Sequence, residues 1–279
     1  MKKSVKEIFT IVVILFSVMG NIVVWGQKTT ELTILTWAHF SPNSDEYLKK
    51  IATEFGQKEG IKVRIDTISL NDFPSKLAAE VSSGKGHDIV LLMNYSTSLY
   101  SDQLIPLNDV IEKIERIYGP YQPAAEEASK IDEDWLSVPC YYTPAPGIYR
   151  EDYFREANIE APDTWNDLLL AAEKLYKTGH PIGLPISHCG DSNDWLLQLM
   201  SSFGAHPIDQ NGNITINSQQ TREAIEYVKK IYQYMPSDVL SWDGAGNNRW
   251  LLSGIGSYII NSTSILVEAE KSFPEIFQN

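Results

Sequence analysis

The apolar and polar positions of this 279-residue chain fall into a repeating alternation of short β-rich runs and amphipathic stretches. Leu32 to Trp37 reads as a strand, and Asp45 to Lys58, apolar at Leu48, Ile51, Ala52 and Phe55, as a helix that Gly60 stops. Ile61 to Ile65 alternates as a second strand. Asn71 then stands as the cap of a helix carrying Phe73, Leu77, Ala78 and Val81, which Gly84 and Gly86 end. Asp88 to Leu92 is nearly continuous in apolar residues, the pattern of a parallel strand covered on both faces. The order β-α-β-α-β predicts an α/β fold.

Pro106 to Ile117 and Pro123 to Lys130 read as helices, and Leu136 to Pro139 returns to extended chain. Pro144, Ala145, Pro146 and Gly147 break the pattern, so a lobe boundary is expected near 140 to 147. Beyond it helices are predicted near Asp152 to Ala157, from Trp165 to Lys177 and near Asp194 to Phe203, with a strand at Ile182 to Ile186. The run from Asp209 to Asn213 makes a turn, and Ser218 caps a helix reaching Tyr234. Gly256 to Asn261 is a last strand, and a helix runs from Ser264 to Lys271.

Composition adds little to the fold and more to the partners. The hydrophobic share of 43% and charged share of 21% are those of a globular protein, and the length suits two lobes. A net charge of -13 repels phosphate backbones, which argues against nucleic acid as a ligand.

Lys2, Lys3 and Lys6 precede an apolar run from Ile8 to Val18, and Ile22 to Trp25 leads to Gly26. Residues 1–26 therefore read as a secretory signal peptide with Gln27 as the new N-terminus. The competing reading is an uncleaved anchor, since Ile8 to Trp25 just suffices to cross a bilayer. No Cys lies near the cleavage point to accept a lipid, so a free protein in the periplasm or another extracytoplasmic space is expected. Cys140 and Cys189 would then meet oxidising conditions, and whether they pair is left open.

Catalytic signatures are missing: no P-loop, no Gly-x-Ser-x-Gly and no His-Glu-x-x-His occurs. His188, Cys189 and Asp191 cluster in a loop but match no common zinc spacing, so no metal and no cofactor is expected. A pair of carboxylates placed by the fold would make a glycoside hydrolase, which stays as a minor alternative. Aromatic usage stands out, with 7 Trp and 14 Tyr, and flat amphipathic rings stack on sugar faces. Trp165, at a capped helix start, reads as a packing residue. Trp37 and His39 follow the first strand, and Asn94 and Tyr95 follow the third. Ligands of open α/β sheets bind beyond the carboxyl ends of strands, which makes these four candidate site walls.

The order of segments resembles the extracellular solute-binding proteins of ABC importers, family 1, the sugar-binding type that includes maltose-binding protein. The stretches that carry it are Leu32 to Trp37, Phe55 to Val63, Lys76 to Glu80 through Ser83-Gly84 to Val90, Leu104 to Asp109 and Val138-Pro139. Tyr149 to Phe154, Ala161 to Leu168, Trp242-Asp243, Asn247-Asn248-Arg249, Leu252-Ser253-Gly254 and Ile259-Ile260-Asn261 continue the series. The resemblance implies a two-lobed, type II periplasmic-binding-protein-like α/β fold, each lobe a mostly parallel sheet flanked by helices. Residues 27–143 plus 257–279 would form lobe 1 and 144–256 lobe 2.

By the same resemblance a small solute, a mono- or oligosaccharide, is held in an interlobe cleft and delivered to ABC permease subunits by a monomeric receptor without catalysis. Positions matched to the family add Tyr141 and Tyr142 at the crossover, and Trp195, Trp242, Asp243 and Asn261 from the second lobe. Where many relatives have Gly-Pro-Trp, this chain has Ser262-Thr263-Ser264 and lacks that stacking ring. Relatives also continue further, so the resemblance implies a C-terminally truncated member. The same fold serving as a membrane-anchored sensor is the alternative if residues 1–26 are retained.

Overall fold

In a computed structural model, residues 31–39, 41–93, 96–141, 143–209 and 211–279 are described. The expected leader, residues 1–26, lies outside them, as do Asn94, Tyr95 and Tyr142. The chain divides into two compact units, one ending at 142 and one running from Thr143 to Asn279.

The first unit is built on three parallel strands. β1 (Glu31–Trp37) lies between β2 (Lys62–Ile68) and β3 (Ile89–Val90), with Ile34 opposite Ile65 on one side and Ile89 on the other. Helix α1 (Pro42–Glu59) connects β1 to β2, and α2 (Phe73–Ser83) connects β2 to β3. Pro42 opens α1 with no N–H to leave unpaired, and Gly60, at φ 67°, closes it by donating its N–H to Gly56. The expected stripe of α1 is rotated: Ala52 and Gly56 are buried while Ile51 and Phe55 stay exposed. Gly56 explains this, because a Cβ there would lie 2.9 Å from the Ile61 carbonyl, so the helix rests closely on the start of β2.

The core of this unit is small, comprising Leu35, Phe73 and Leu77 with Trp37, Val90 and Leu92 against them. The third strand is shorter than its apolar run suggests, and Ile89 is exposed. Leu91 still donates its N–H to Leu35, extending the pairing by one bond. A buried carboxylate ties the pieces: Glu80 of α2 accepts from the His87 N–H at 3.0 Å and contacts its Nδ1 at 2.8 Å. The His87 Nε2 meets Asp66 of β2 at 2.8 Å. The cap of α2 is Asp72 rather than Asn71, linked to the Ser69 hydroxyl at 2.6 Å. After α3 (Ser96–Leu99) come α4 (Asn108–Tyr118), α5 (Pro123–Ser129) and the small hairpin of β4 (Lys130–Ile131) and β5 (Asp134–Trp135).

The second unit is dominated by helices around a large core. α6 (Glu151–Glu156), α7 (Trp165–Lys177), α8 (Gly190–Ser202) and α9 (Gln219–Tyr232) bury Phe154, Leu168, Leu175, Trp195, Leu199, Tyr227 and Ile231 together. Thr164 starts α7 with a capping box against Asp167, and the Ser218 hydroxyl accepts from the Thr221 N–H to start α9. Trp165 packs in this core, 6.0 Å from the Tyr227 ring, as its place at a helix start suggests. Ile182 and Leu184 are fully buried in the expected extended run, yet no named strand forms there. Pro181 and Pro185 carry no N–H, so a ladder cannot continue through them; Gly183 and Ile186 instead make single bonds to Tyr258 and Val239.

The pairing in this unit is antiparallel rather than parallel: β6 (Gly147–Tyr149) pairs with β7 (Tyr258–Ile260). α10 (Gly246–Leu252) precedes β7, and α11 (Ser264–Ser272) and α12 (Pro274–Phe277) follow it. Residues 257–279 thus group with the second unit, not with the first as the sequence reading had it. The cause is local, since β7 bonds to β6 and the Asn279 carbonyl accepts the Glu151 N–H.

Candidate functional site

In the first unit, β1 ends at Trp37 and the chain leaves the sheet through Ala38, whose N–H still reaches the Ile68 carbonyl at 2.8 Å. That bond fixes where His39 emerges. The His39 ring lies 4.2 Å from that of Trp37, tilted by 35°. Asp45, in the first turn of α1, receives the His39 Nδ1 at 2.6 Å and its backbone N–H at 3.3 Å. On the other side the Tyr141 hydroxyl is 3.4 Å from His39 Nε2, with the ring edge-on at 62°. Tyr141 is 56% exposed, while the Trp37 Nε1 is buried with no partner among the described residues. Burial of its hydroxyl raises the Tyr141 pKa above the ordinary phenol range, and Cys140 and Asp45 add to the effect.

Of the first-unit candidates, Trp37, His39 and Tyr141 therefore come together, joined by Asp45, which sequence reasoning missed. Its signal was available, because an acidic residue in a first helical turn shortly after a strand end is placed to meet the strand's last side chains. The arrangement offers two aromatic faces and a directed hydroxyl.

In the second unit Trp242, Asp243 and Asn261 lie on two loops. Trp242 is half-buried, its ring 5.7 Å from Trp250 and packed so tightly on Gly183 and Gly246 that a Cβ on either would clash with it. Its carbonyl accepts the Ser187 hydroxyl at 2.5 Å. Asp243 is exposed and accepts from Arg249 at 2.7 Å and from the Ala245 N–H at 3.1 Å. The Arg249 guanidinium holds the Asp243 pKa below the usual carboxylate range against a smaller opposing effect of burial. Asn261, just past β7, donates to Asp191 at 3.2 Å and to the Asn248 Oδ1 at 2.6 Å, and its own Oδ1 accepts the Ser262 N–H.

Asn261 is one arm of a larger polar cluster. The fully buried Asn247 donates to the same Asp191 Oδ2 at 2.8 Å and to the Ile260 carbonyl at 3.2 Å. Burial pushes the Asp191 pKa up to about 6; the Asn247 amide opposes this, and the charges of Asp194 and Asp243 reinforce it. Asp191, Asn247 and Asn248 are absent from the sequence-derived candidates. The adjacent asparagines on a short helix were a usable signal, since side chains this polar at buried positions demand partners.

Trp195 is a correction. It is fully exposed to nothing but protein: its relative exposure is 0%, and its Nε1–H donates to the Pro185 carbonyl at 2.7 Å. Ser192, Trp195 and Leu199 form the buried stripe of α8, so the ring is core and has no face left for a solute. Cys140 and Cys189 are both free thiols.

The chain belongs to the family of bacterial extracellular solute-binding proteins, whose model matches residues 41–278. It is 21% identical over 178 residues to an arabinooligosaccharide-binding protein of Halalkalibacterium halodurans, covering 60% of this chain and 38% of that protein. Among solved structures it resembles a sugar transporter from Arthrobacter chlorophenolicus with bound laminaribiose, at TM-score 0.76 and 18% identity, over 88% of this chain and 64% of that one. Maltose-bound T. maritima MalE3 is similar at TM-score 0.76 and 20% identity, over 88% and 65%. The chain thus spans less than two thirds of the length of each of these relatives. These likenesses establish the mixed α/β, type II periplasmic-binding-protein fold. The family match places the chain among extracellular proteins.

Proposed function

We propose that this protein captures a carbohydrate, a mono- or oligosaccharide or a related polyol, and hands it unchanged to the permease of an ABC importer. The observation that carries the reading is family membership over residues 41–278. Relatives of the same fold hold laminaribiose and maltose. The local chemistry agrees with it. Trp37 lies against His39, which in turn meets the exposed Tyr141 ring, and apolar C–H faces of a sugar stack on aromatic rings while its hydroxyls meet phenol, imidazole and carboxylate. In the second unit Trp242, Asp243 and the Asp191 cluster supply a comparable mixture. Asn94, Tyr95 and Tyr142 complete the proposed set by position in the sequence.

Working as a free receptor, the protein is cleaved after Gly26, begins at Gln27 and is monomeric. N-terminal sequencing and size-exclusion chromatography of secreted material test those points, and a retained apolar segment would convert the reading to an anchored sensor.

The decisive experiment is a thermal-shift screen across sugars and polyols followed by calorimetry and recovery of the solute. A true ligand at 100 times its dissociation constant stabilises the native state by about 2.7 kcal/mol. The recovered sugar should be chemically unchanged. No stabilisation by any carbohydrate would end the solute assignment, and hydrolysis products would turn it into an enzyme.

A further inference from the structure

The carboxylate of Asp45 takes both of the hydrogens that His39 presents to it, from the backbone N–H at 3.3 Å and from ring Nδ1 at 2.6 Å. A carboxylate only accepts hydrogen bonds, so Nδ1 carries the hydrogen and the tautomer with Nε2 as a lone pair is selected. Nε2 faces the Tyr141 hydroxyl at 3.4 Å, the long end of the hydrogen-bond range. The hydroxyl has one hydrogen, and a lone pair on Nε2 calls for it. The oxygen of Tyr141 is left with its own lone pairs, on a side chain that is more than half exposed. His39, by contrast, is held: its side chain is 11% exposed and lies against Trp37.

We propose that Asp45 is a positioning residue which, through His39, turns the Tyr141 hydroxyl into an acceptor that selects a solute presenting a hydroxyl donor. The inference rests on the carbohydrate reading above and adds direction to it. A sugar or polyol hydroxyl can donate to Tyr141. A carbonyl or carboxylate oxygen in the same place would set lone pair against lone pair and be rejected, as sites built for one hydrogen-bond polarity reject the other. Asp45 itself need not touch the solute.

The test combines a double-mutant cycle with direct observation of the imidazole. Binding of maltose, laminaribiose and ribitol is measured by calorimetry for wild type, Asp45→Asn, Tyr141→Phe and the double variant, with melting curves of each unliganded protein. Asp45→Asn should weaken binding of the best of these ligands about tenfold, the loss of one hydrogen bond's worth of affinity. In the Tyr141→Phe background the same change should cost less than about twofold, because the group it acts through is gone. Asp45→Glu, which keeps two acceptor oxygens where Asn keeps one, should stay within about threefold of wild type, and it serves as the readout if the Asn variant does not fold. An equal loss in both backgrounds, or none in either, overturns the proposal.

Nitrogen-15 NMR of the His39 ring at mildly alkaline pH reads the relay without any ligand. The Nδ1–H tautomer in wild type, lost in Asp45→Asn, supports it, and the Nε2–H tautomer in wild type overturns it. Should none of the three ligands bind wild type, the carbohydrate reading fails for them, and the ring tautomer alone decides whether Asp45 sets the proton order.

Discussion

The two units organise polar groups in opposite ways, and the contrast separates side chains left at the surface from side chains that hold the fold. In the first, a small core of Leu35, Phe73 and Leu77 leaves Trp37 and His39 at the carboxyl end of the central strand, where His39 bonds to Asp45 and meets the Tyr141 hydroxyl. In the second, a large core around Trp195, Leu199 and Ile231 lies under an amide and carboxylate cluster whose hydrogen bonds are largely internal. The first arrangement spends side chains on a surface. The second draws them inward, so the same residue types, Trp and Asp, serve packing and internal hydrogen bonding there.

Trp195→Ala is the sharpest way to break this contrast. Deleting a fully buried indole costs about 3 to 5 kcal/mol through lost burial and the cavity left behind. It also orphans the Pro185 carbonyl. Hydrogen exchange resolved by segment should show α7, α8 and α9 deprotected, with β1 and β2 of the first unit little changed. If the second unit keeps its protection and only solute affinity falls, Trp195 is a site residue after all.

The next largest effect is electrostatic, and its sign differs between the units. Asp191, pushed up to about 6 by burial, holds its proton more tightly folded than unfolded. Its contribution to stability is full below the ordinary carboxylate range and is lost as pH rises through about 6, amounting to about 2 to 3 kcal/mol. In the first unit Glu80 and Asp66 run the other way. Burial works to raise Glu80, but its bonds to His87, with help from Lys76, bring it below the usual range; Asp66 is lowered by His87 and then Arg64. Their contribution is present above the ordinary carboxylate range and lost as pH falls. Acidification should therefore strengthen the second unit through Asp191 as pH falls through about 6, and weaken the first only once pH drops below the ordinary carboxylate range, read by segment-resolved exchange. Asp191→Asn should flatten the second unit's response between about pH 4 and 6 and leave the first unit's slope in place.

Much of the secondary structure was legible because its local signals agree with one another. α7 begins and ends where Thr164, Trp165 and Lys177 predict, since the cap, the apolar period and the basic last turn all point to one frame. The extended run at Ile182 has the apolar residues of a strand and isolated bonds to Tyr258 and Val239, but Pro181 and Pro185, both visible in the sequence, stop a ladder from forming. The packing of α1 on Gly56 and the pairing of β7 with β6 depend on long-range contacts, which no local pattern records. At the candidate site the strand-end rule found Trp37 and His39, whereas Asp45 and Asp191 act through partners that only folding supplies. Position relative to the family points to Trp195, whereas the i, i+3, i+7 stripe of Ser192, Trp195 and Leu199 is the pattern of a buried helix face.

The smallest expected effect sharpens the comparison most, because it concerns two rings of one kind. Trp37→Ala should weaken carbohydrate binding by about 1 to 2 kcal/mol, the usual worth of an aromatic contact with a solute. It should do so with a modest change in first-unit stability, since the ring is only partly buried. Trp242→Ala should not show this separation. Its ring fills the space that Gly183 and Gly246 leave open and leans on Trp250, so truncation removes packing and affinity together. Calorimetry paired with melting curves distinguishes the cases. If Trp37→Ala lowers stability as much as affinity, the first unit's aromatic edge is a core exposed at its rim rather than a binding surface, and the contrast between the units dissolves.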